Sequence, residues 1–261
     1  MGNDSSKTRG AHGKRGIGIA LKSGPSSTTV QRHLENARKS RILQLKSCGL
    51  KTVPEQLNEV HEILRNLDLS DNRIRELPEM IGSFSNLKQL HLSGNQLQSL
   101  PDELGMLKKL EVLNAARNLL CSLPESFIGL CSLKVLNLSG NKFVTMPLVL
   151  CQLQSLDNLD MSINLLEKLP DEVNGLKASE VNLNQNRLSS LNENLARCER
   201  LKTLRVEENC LNKKDFCTEL LSNSNISLIA YAGNLFQDKD FQSLPGYEDY
   251  QVRFTATKRK M

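Results

Sequence analysis

The sequence predicts an α/β solenoid, a stack of short parallel strands joined by turns and short helical segments, and three observations predict it. Leucine fills 47 of the 261 positions, aromatic residues make up only 4% and tryptophan is absent, so one aliphatic residue type builds nearly the whole interior. One pattern, L-x-x-L-x-L-x-x-N-x-L-x-x-L-P, recurs along most of the chain, and Leu64, Leu67, Leu69, Asn72, Ile74, Leu77 and Pro78 display it in full. Its asparagines are evenly spaced: Asn72, Asn95, Asn118, Asn141 and Asn164 lie 23 residues apart, and steps of 22, 23 and 25 lead to Asn186, Asn209 and Asn234. Cys48 holds the asparagine position 24 residues before Asn72, which makes nine units of 22–25 residues. A core of one residue type at fixed intervals suits a stacked array better than a closed globule.

Each part of the unit has a physical purpose. The L-x-L alternation makes a short strand with one buried face, and each strand is expected to pair in parallel with its copy in the next unit. The asparagine falls where the chain turns out of the strand, and its amide can satisfy backbone groups the turn leaves unpaired. Cys48 can replace it only in part, through a weak S–H donor. The closing proline, as in Leu77-Pro78-Glu79, fixes φ and starts a short helical or 3₁₀ turn without needing an N–H. Two departures stand out: Ala115 replaces a core leucine in the fourth unit, and the seventh opens on Ala178 and lacks the proline.

The ends of such a stack need covers, because an outer repeat cannot bury its own apolar edge. The chain divides into a Gly/Ser-rich basic head expected to be disordered (1–27), an N-terminal capping helix (28–40), the solenoid (41–236) and a C-terminal cap with a basic tail (237–261). Thr28 or Thr29 is placed to cap a helix whose Val30, Leu34 and Ala37 form one apolar stripe. At the back, Asp215 to Leu221 reads as a last helix, with Phe236 to Phe254 closing the final edge.

The unit resembles the leucine-rich repeat over residues 41–236, and the resemblance implies a horseshoe with parallel strands on its concave face and short helical or 3₁₀ segments on its convex face. Met1-Gly2-Asn3, Val181 to Asn186, Val206 to Leu211, Gly246-Tyr247 and Arg253 to Lys258 are similar to a group of short intracellular members of that family. That similarity implies membrane association through a lipid anchor and no established biochemical activity; the basic stretch around 5–27 is longer here than in the group.

Charge is unevenly spread. The net charge is +5, yet residues 1–40 carry eight Lys/Arg against Asp4 and Glu35, residues 237–261 carry five against four, and the body between is left at −2. A near-neutral body with a basic head argues against a broad nucleic-acid-binding face and for one local electrostatic contact. The head also lacks the interleaved aromatics on which nucleobases stack. No window holds the roughly 18 consecutive apolar residues of a membrane span, and the start lacks a secretory apolar core, so an intracellular protein is expected. Seven cysteines without C-x-x-C or zinc spacing indicate neither disulfides nor a metal site, and no cofactor is expected.

Candidate contact residues come from the strands. Between the buried leucines, Asp68, His91, Asn114, Asn137, Asp160, Asn182 and Arg205 form one outward column, and Asn66, Gln89, Val112, Val135, Asn158, Glu180 and Thr203 a second. Mixed polarity with two valines near the centre matches a face for an unidentified cytosolic protein. Catalysis is not expected, because His12, His33, His61 and His91 lie far apart in the repeat frame and no triad forms around His91. A reactive thiol at Cys198 or Cys210 is the remaining enzymatic alternative.

The amino terminus carries a separate signal. Met1-Gly2-Asn3-Asp4-Ser5-Ser6 fits M-G-x-x-x-[ST], in which Gly2 becomes the myristoylated amine. One myristoyl chain binds membranes with a K of about 10⁴ M⁻¹, so a stable anchor needs a second contact. Lys7, Arg9, Lys14, Arg15 and Lys22 supply one to an anionic surface. The expectation is a non-enzymatic signalling scaffold on the cytoplasmic face of a membrane, the alternative being a soluble regulatory subunit of a phosphatase or small-GTPase complex with an unmodified terminus.

Overall fold

The computed structural model describes residues 27–258. Nine three-residue strands form one open parallel sheet in chain order: β1 (Ile42–Gln44), β2 (Asn66–Asp68), β3 (Gln89–His91), β4 (Val112–Asn114), β5 (Val135–Asn137), β6 (Asn158–Asp160), β7 (Glu180–Asn182), β8 (Thr203–Arg205) and β9 (Leu228–Ala230). A single register runs through the stack, with Leu43, Leu67, Leu90, Leu113, Leu136, Leu159, Val181, Leu204 and Ile229 as successive central partners. All nine are buried, which pins the register, since a one-residue slip would turn the apolar ladder out to water.

What ends each strand after three residues is the asparagine turn. The residue before each repeat asparagine is left-handed, from Asp71 (φ 55°) through Gly94 (69°) to Gly233 (74°), and it swings the chain out of the sheet. The buried asparagine then ties the turn down. Asn72 Nδ2 donates to the carbonyls of Leu69 (2.8 Å) and Ser70 (3.1 Å) in its own turn and of Leu45 (2.9 Å) in the preceding unit, while its Oδ1 accepts from Leu50 N–H at 3.0 Å. The sequence reading anticipates the bonds within the turn; the bonds to the preceding unit make the asparagines a second ladder beside the sheet. Cys48 needs no such reach, because α1 (Ser27–Ser40) and not another repeat precedes it; its thiol donates only to Lys46 O at 3.5 Å.

On the side away from the strands, short 3₁₀ turns run from Glu55–Glu59 to Glu193–Arg197. Pro54, Pro78, Pro101, Pro124, Pro147 and Pro170 stand just before these turns, extended at φ −61° to −74°, and their carbonyls accept the first turn hydrogen bond. The proline therefore caps the turn instead of forming its first residue. In the seventh unit Asn192 takes the same conformation (φ −75°), and its side chain accepts from Asn194 N–H at 2.9 Å, which explains why proline is dispensable there. Neighbouring turns pack so closely that a Cβ on Gly105 would sit 2.1 Å from the Ser126 carbonyl oxygen. Ala115 and Ala178 are both fully buried within the continuous core.

Both ends are capped, with two corrections to the sequence reading. Val30, Leu34 and Ala37 of α1 bury the front edge as expected, but Ser27 is already helical, so Thr28 and Thr29 lie within the helix and not at its cap. At the back, Lys213–Asp215 is a 3₁₀ turn and the helix α2 covers only Thr218–Ser222, because the Asp215 carboxylate accepts from Asn212 N–H and closes the preceding turn instead. Two further helices, α3 (Asp238–Gln242) and α4 (Tyr247–Lys258), complete the cap. Aromatics scarce in the repeats gather here: Phe216, Tyr231, Phe236 and Tyr250 surround buried Phe241, with ring centroids 4.1–6.3 Å from it. Tyr250 Oη accepts from Ile229 N–H at 3.1 Å and so engages a backbone donor of the last strand.

Candidate interaction surface

The register places the predicted column in one line, Asp68, His91, Asn114, Asn137, Asp160, Asn182 and Arg205 being successive partners. Their side chains have unequal roles. Asp68, Asn114, Asn137, Asp160 and Asn182 are half-buried, and each Oδ1 accepts from the backbone N–H two residues on, at 2.8, 3.1, 2.9, 2.9 and 3.1 Å. These five fix the exit from the strand as well as facing outward. His91 and Arg205 make no such turn bond, and Arg205 is exposed.

The second column is stitched across strands. Asn66 Nδ2 donates to Gln89 Oε1 at 2.9 Å, and Asn158 Nδ2 to Glu180 Oε2 at 3.2 Å. Between these amide pairs Val112 is half-buried and Val135 is 38% exposed, an aliphatic centre flanked by polar groups.

Electrostatics divide the surface into two zones. Toward the front, Asp71 meets Lys46 (3.5 Å) and Arg117 (3.1 Å), the latter two units away across Gly94, where a Cβ would fall 2.4 Å from Asp71 Oδ1. Glu111 lies between Lys88 (2.6 Å) and Lys134 (3.5 Å), and the Lys88 hydrogen bond and charge hold its carboxyl below the usual range. Toward the back, Asp160, Glu180, Glu207 and Glu208 enter no ion pair among the described residues. Amides hold three of them: besides Asn158 on Glu180, Asn184 Nδ2 donates to Glu207 at 2.7 Å and Gln185 Nε2 to Glu208 at 2.9 Å. The two outward columns already named Asp160 and Glu180 but not Glu207, Glu208 or Ile163, although the Glu207-Glu208 pair and an isoleucine where other units carry Gly94 or Gly140 are visible signals.

Chemistry elsewhere is quiet. Burial pushes the Cys151 and Cys198 thiols up to about 11 and about 12, so neither forms a nucleophilic thiolate near neutral pH. Cys210 is exposed, and among the described residues no histidine is in hydrogen-bond contact with it. Among the described residues no three His, Cys, Asp or Glu side chains are grouped to hold a metal ion, and no helix is long and apolar enough to cross a membrane. Gly2 and the basic residues Lys7, Arg9, Lys14, Arg15 and Lys22 lie outside the described residues.

One parallel strand per unit, a buried asparagine ladder beside it and a 3₁₀ turn opposite define a repeat solenoid whose free side is a sheet. A family profile described as leucine-rich repeat region matches residues 23–231, and the chain belongs to that family. Solved structures with the same fold include a leucine-rich repeat protein of Leptospira interrogans, with a TM-score of 0.68, 28% identity, 82% of this chain covered and 62% of that one. The leucine-rich repeat ectodomain of the membrane receptor kinase GASSHO1/SCHENGEN3 from Arabidopsis thaliana, in complex with Casparian strip integrity factor 2, matches at TM-score 0.61 and 25% identity over 75% of this chain and 24% of that one. A plant peptide hormone receptor, RGFR1 in complex with RGF2, matches at TM-score 0.58 and 27% identity over 70% of this chain and 30% of that one. The chain thus spans less than two thirds of the length of each of these three.

Proposed function

We propose that this chain is a non-enzymatic interaction module, a signalling scaffold that holds a protein partner on its strand face and is tethered by myristoyl-Gly2 and its basic head to the cytoplasmic face of a membrane. The observation that carries the first half is the open face of nine strands with exposed Val135 at its centre, a surface on which no described element lies. The two plant receptor structures, each in complex with a named factor, support a protein or peptide ligand. Family membership and the inert buried thiols support a role without catalysis. The tether rests on the Met1 to Ser6 motif and on Lys7, Arg9, Lys14, Arg15 and Lys22 as the second contact that a single acyl chain requires.

Two experiments test the halves separately. The pair His91→Ala and Arg205→Glu alters the strand face without touching a turn bond, so a true partner should be lost from pull-downs while the thermal midpoint stays in place. Substituting Asp160 by lysine would be a poorer probe, because it removes the acceptor of Ser162 N–H (2.9 Å) and tests folding together with binding. For the tether, the intact mass of native protein should show a myristoyl increment on des-Met chain, and Gly2→Ala should release it from membrane fractions. An unmodified terminus with soluble protein in both samples would remove the anchor and leave a soluble binding subunit.

A further inference from the structure

Ile163 stands in the left-handed turn at φ 56°, where Gly94, Gly140 and Gly233 serve in other units, and it is the one β-branched residue in that place. A β-branched side chain fits this conformation poorly. The core does not require it, since Ile163 is 56% exposed. It borders a groove of about 290 Å³ that runs over three successive turns to Asn184, Glu207 and Glu208. Glu180 is exposed on β7 beside this zone, Asp160 is half-buried on β6, and none of the four carboxylates has a cationic partner among the described residues. Arg205, exposed on β8, is the basic residue of the same columns and offsets only part of that charge.

We propose that this back end of the strand face docks an extended basic segment of a partner protein, an aliphatic side chain of the segment resting on Ile163 and its lysines or arginines reaching Glu207, Glu208 and Glu180. The inference rests on the reading of the strand face as an interaction surface and adds where the contact lies and what chemistry it selects. Adjacent strands lie roughly 4.8 Å apart, so three turns span about 10 Å, the length of about three extended residues. A short linear motif fills it, and negative charge that no ion pair among the described residues neutralises attracts basic segments and repels acidic ones.

The test uses the full chain and a labelled hexapeptide, Lys-Leu-Arg-Val-Lys-Leu, with a counterpart carrying glutamate at the three basic positions. Fluorescence anisotropy should show binding of the basic peptide, weakening as salt is raised, and none of the acidic one. Glu207→Gln with Glu208→Gln, which keeps acceptors for Asn184 and Gln185 while removing both charges, should weaken binding about tenfold. Ile163→Gly should also weaken it about tenfold while raising the thermal midpoint, a combination that a purely structural role for Ile163 does not produce. Unchanged affinity in both variants overturns the proposal. Amide shifts that map to His91 and Val112 instead would overturn it too, leaving the broader reading of the strand face intact. Binding that develops only after Lys7, Arg9, Lys14, Arg15 and Lys22 are changed to glutamine would make the chain's own head the occupant and equally overturn a separate partner.

Discussion

Asn141 ties two units of the stack together through its side-chain amide. Its Nδ2 donates to Ala115, Leu138 and Ser139 carbonyls at 3.1, 2.9 and 3.3 Å, and its Oδ1 accepts from Leu120 N–H at 3.0 Å. Removing it deprives Leu120 N–H of its acceptor, while the three carbonyls keep donors in Asn118 Nδ2, Asn164 Nδ2 and Arg117 N–H, so Asn141→Ala should cost about 1–3 kcal/mol in urea denaturation. Ile163 has the opposite sign. Replacing it by glycine relieves roughly 1–2 kcal/mol of left-handed strain against a smaller loss in unfolded-state entropy, a net gain of about 0.5–1 kcal/mol. The buried thiols give a pH dependence. Cys151 and Cys198 titrate near 9 when unfolded but at about 11 and about 12 when folded, so their contribution is whole below pH 9 and is lost as pH rises through that window. The urea midpoint should therefore fall above pH 9, and Cys198→Ala should flatten the decline. At this scale the sequence shows which residues matter, since the asparagine and the valines of the second column are read from spacing alone. It does not show that five polar residues of the first column also lock their own turns, because a side chain that faces outward and one that bends back to the backbone have the same period.

The helices at the two ends differ in how legible they are. α1 follows from a simple stripe, Val30, Leu34 and Ala37, laid on the first repeat. The back cap has no such period. It is assembled from aromatic contacts between Phe216, Tyr231, Phe241 and Tyr250, which stand 9 to 34 residues apart in the chain, and from Arg253, which donates to Ile226 O (3.0 Å), Ser222 O (3.1 Å) and Leu221 O. Arg253 thereby satisfies carbonyls at the end of α2 that a five-residue helix leaves open. The short α2, broken off from the helix expected between Asp215 and Leu221, reflects a local competition that Asp215 wins by closing its own turn. Tyr250→Phe keeps the ring packing but deprives Ile229 N–H of its acceptor, and should cost about 1–3 kcal/mol with faster amide exchange concentrated at β9.

On the scale of the whole molecule, fold and function separate. Each unit touches chiefly its neighbours, so stability accumulates along the array while the strand face repeats from unit to unit. That is why the architecture is legible from a 23-residue spacing, whereas the partner is not: the period fixes where side chains stand, and the charges that select a ligand vary freely between the fixed positions. Ion pairs balance Asp71 and Glu111 toward the front and leave Glu207 and Glu208 unbalanced toward the back, a difference that emerges only when the stack brings residues from separate units together. The most direct test places a photo-reactive amino acid in the full chain at Val135 on the strand face and, separately, at Ile128 on the opposite side, both exposed (38% and 57%). Irradiation in cells should give a discrete protein adduct from Val135 and none from Ile128; adducts from Ile128 alone, or from neither position, would contradict a partner held on the strands.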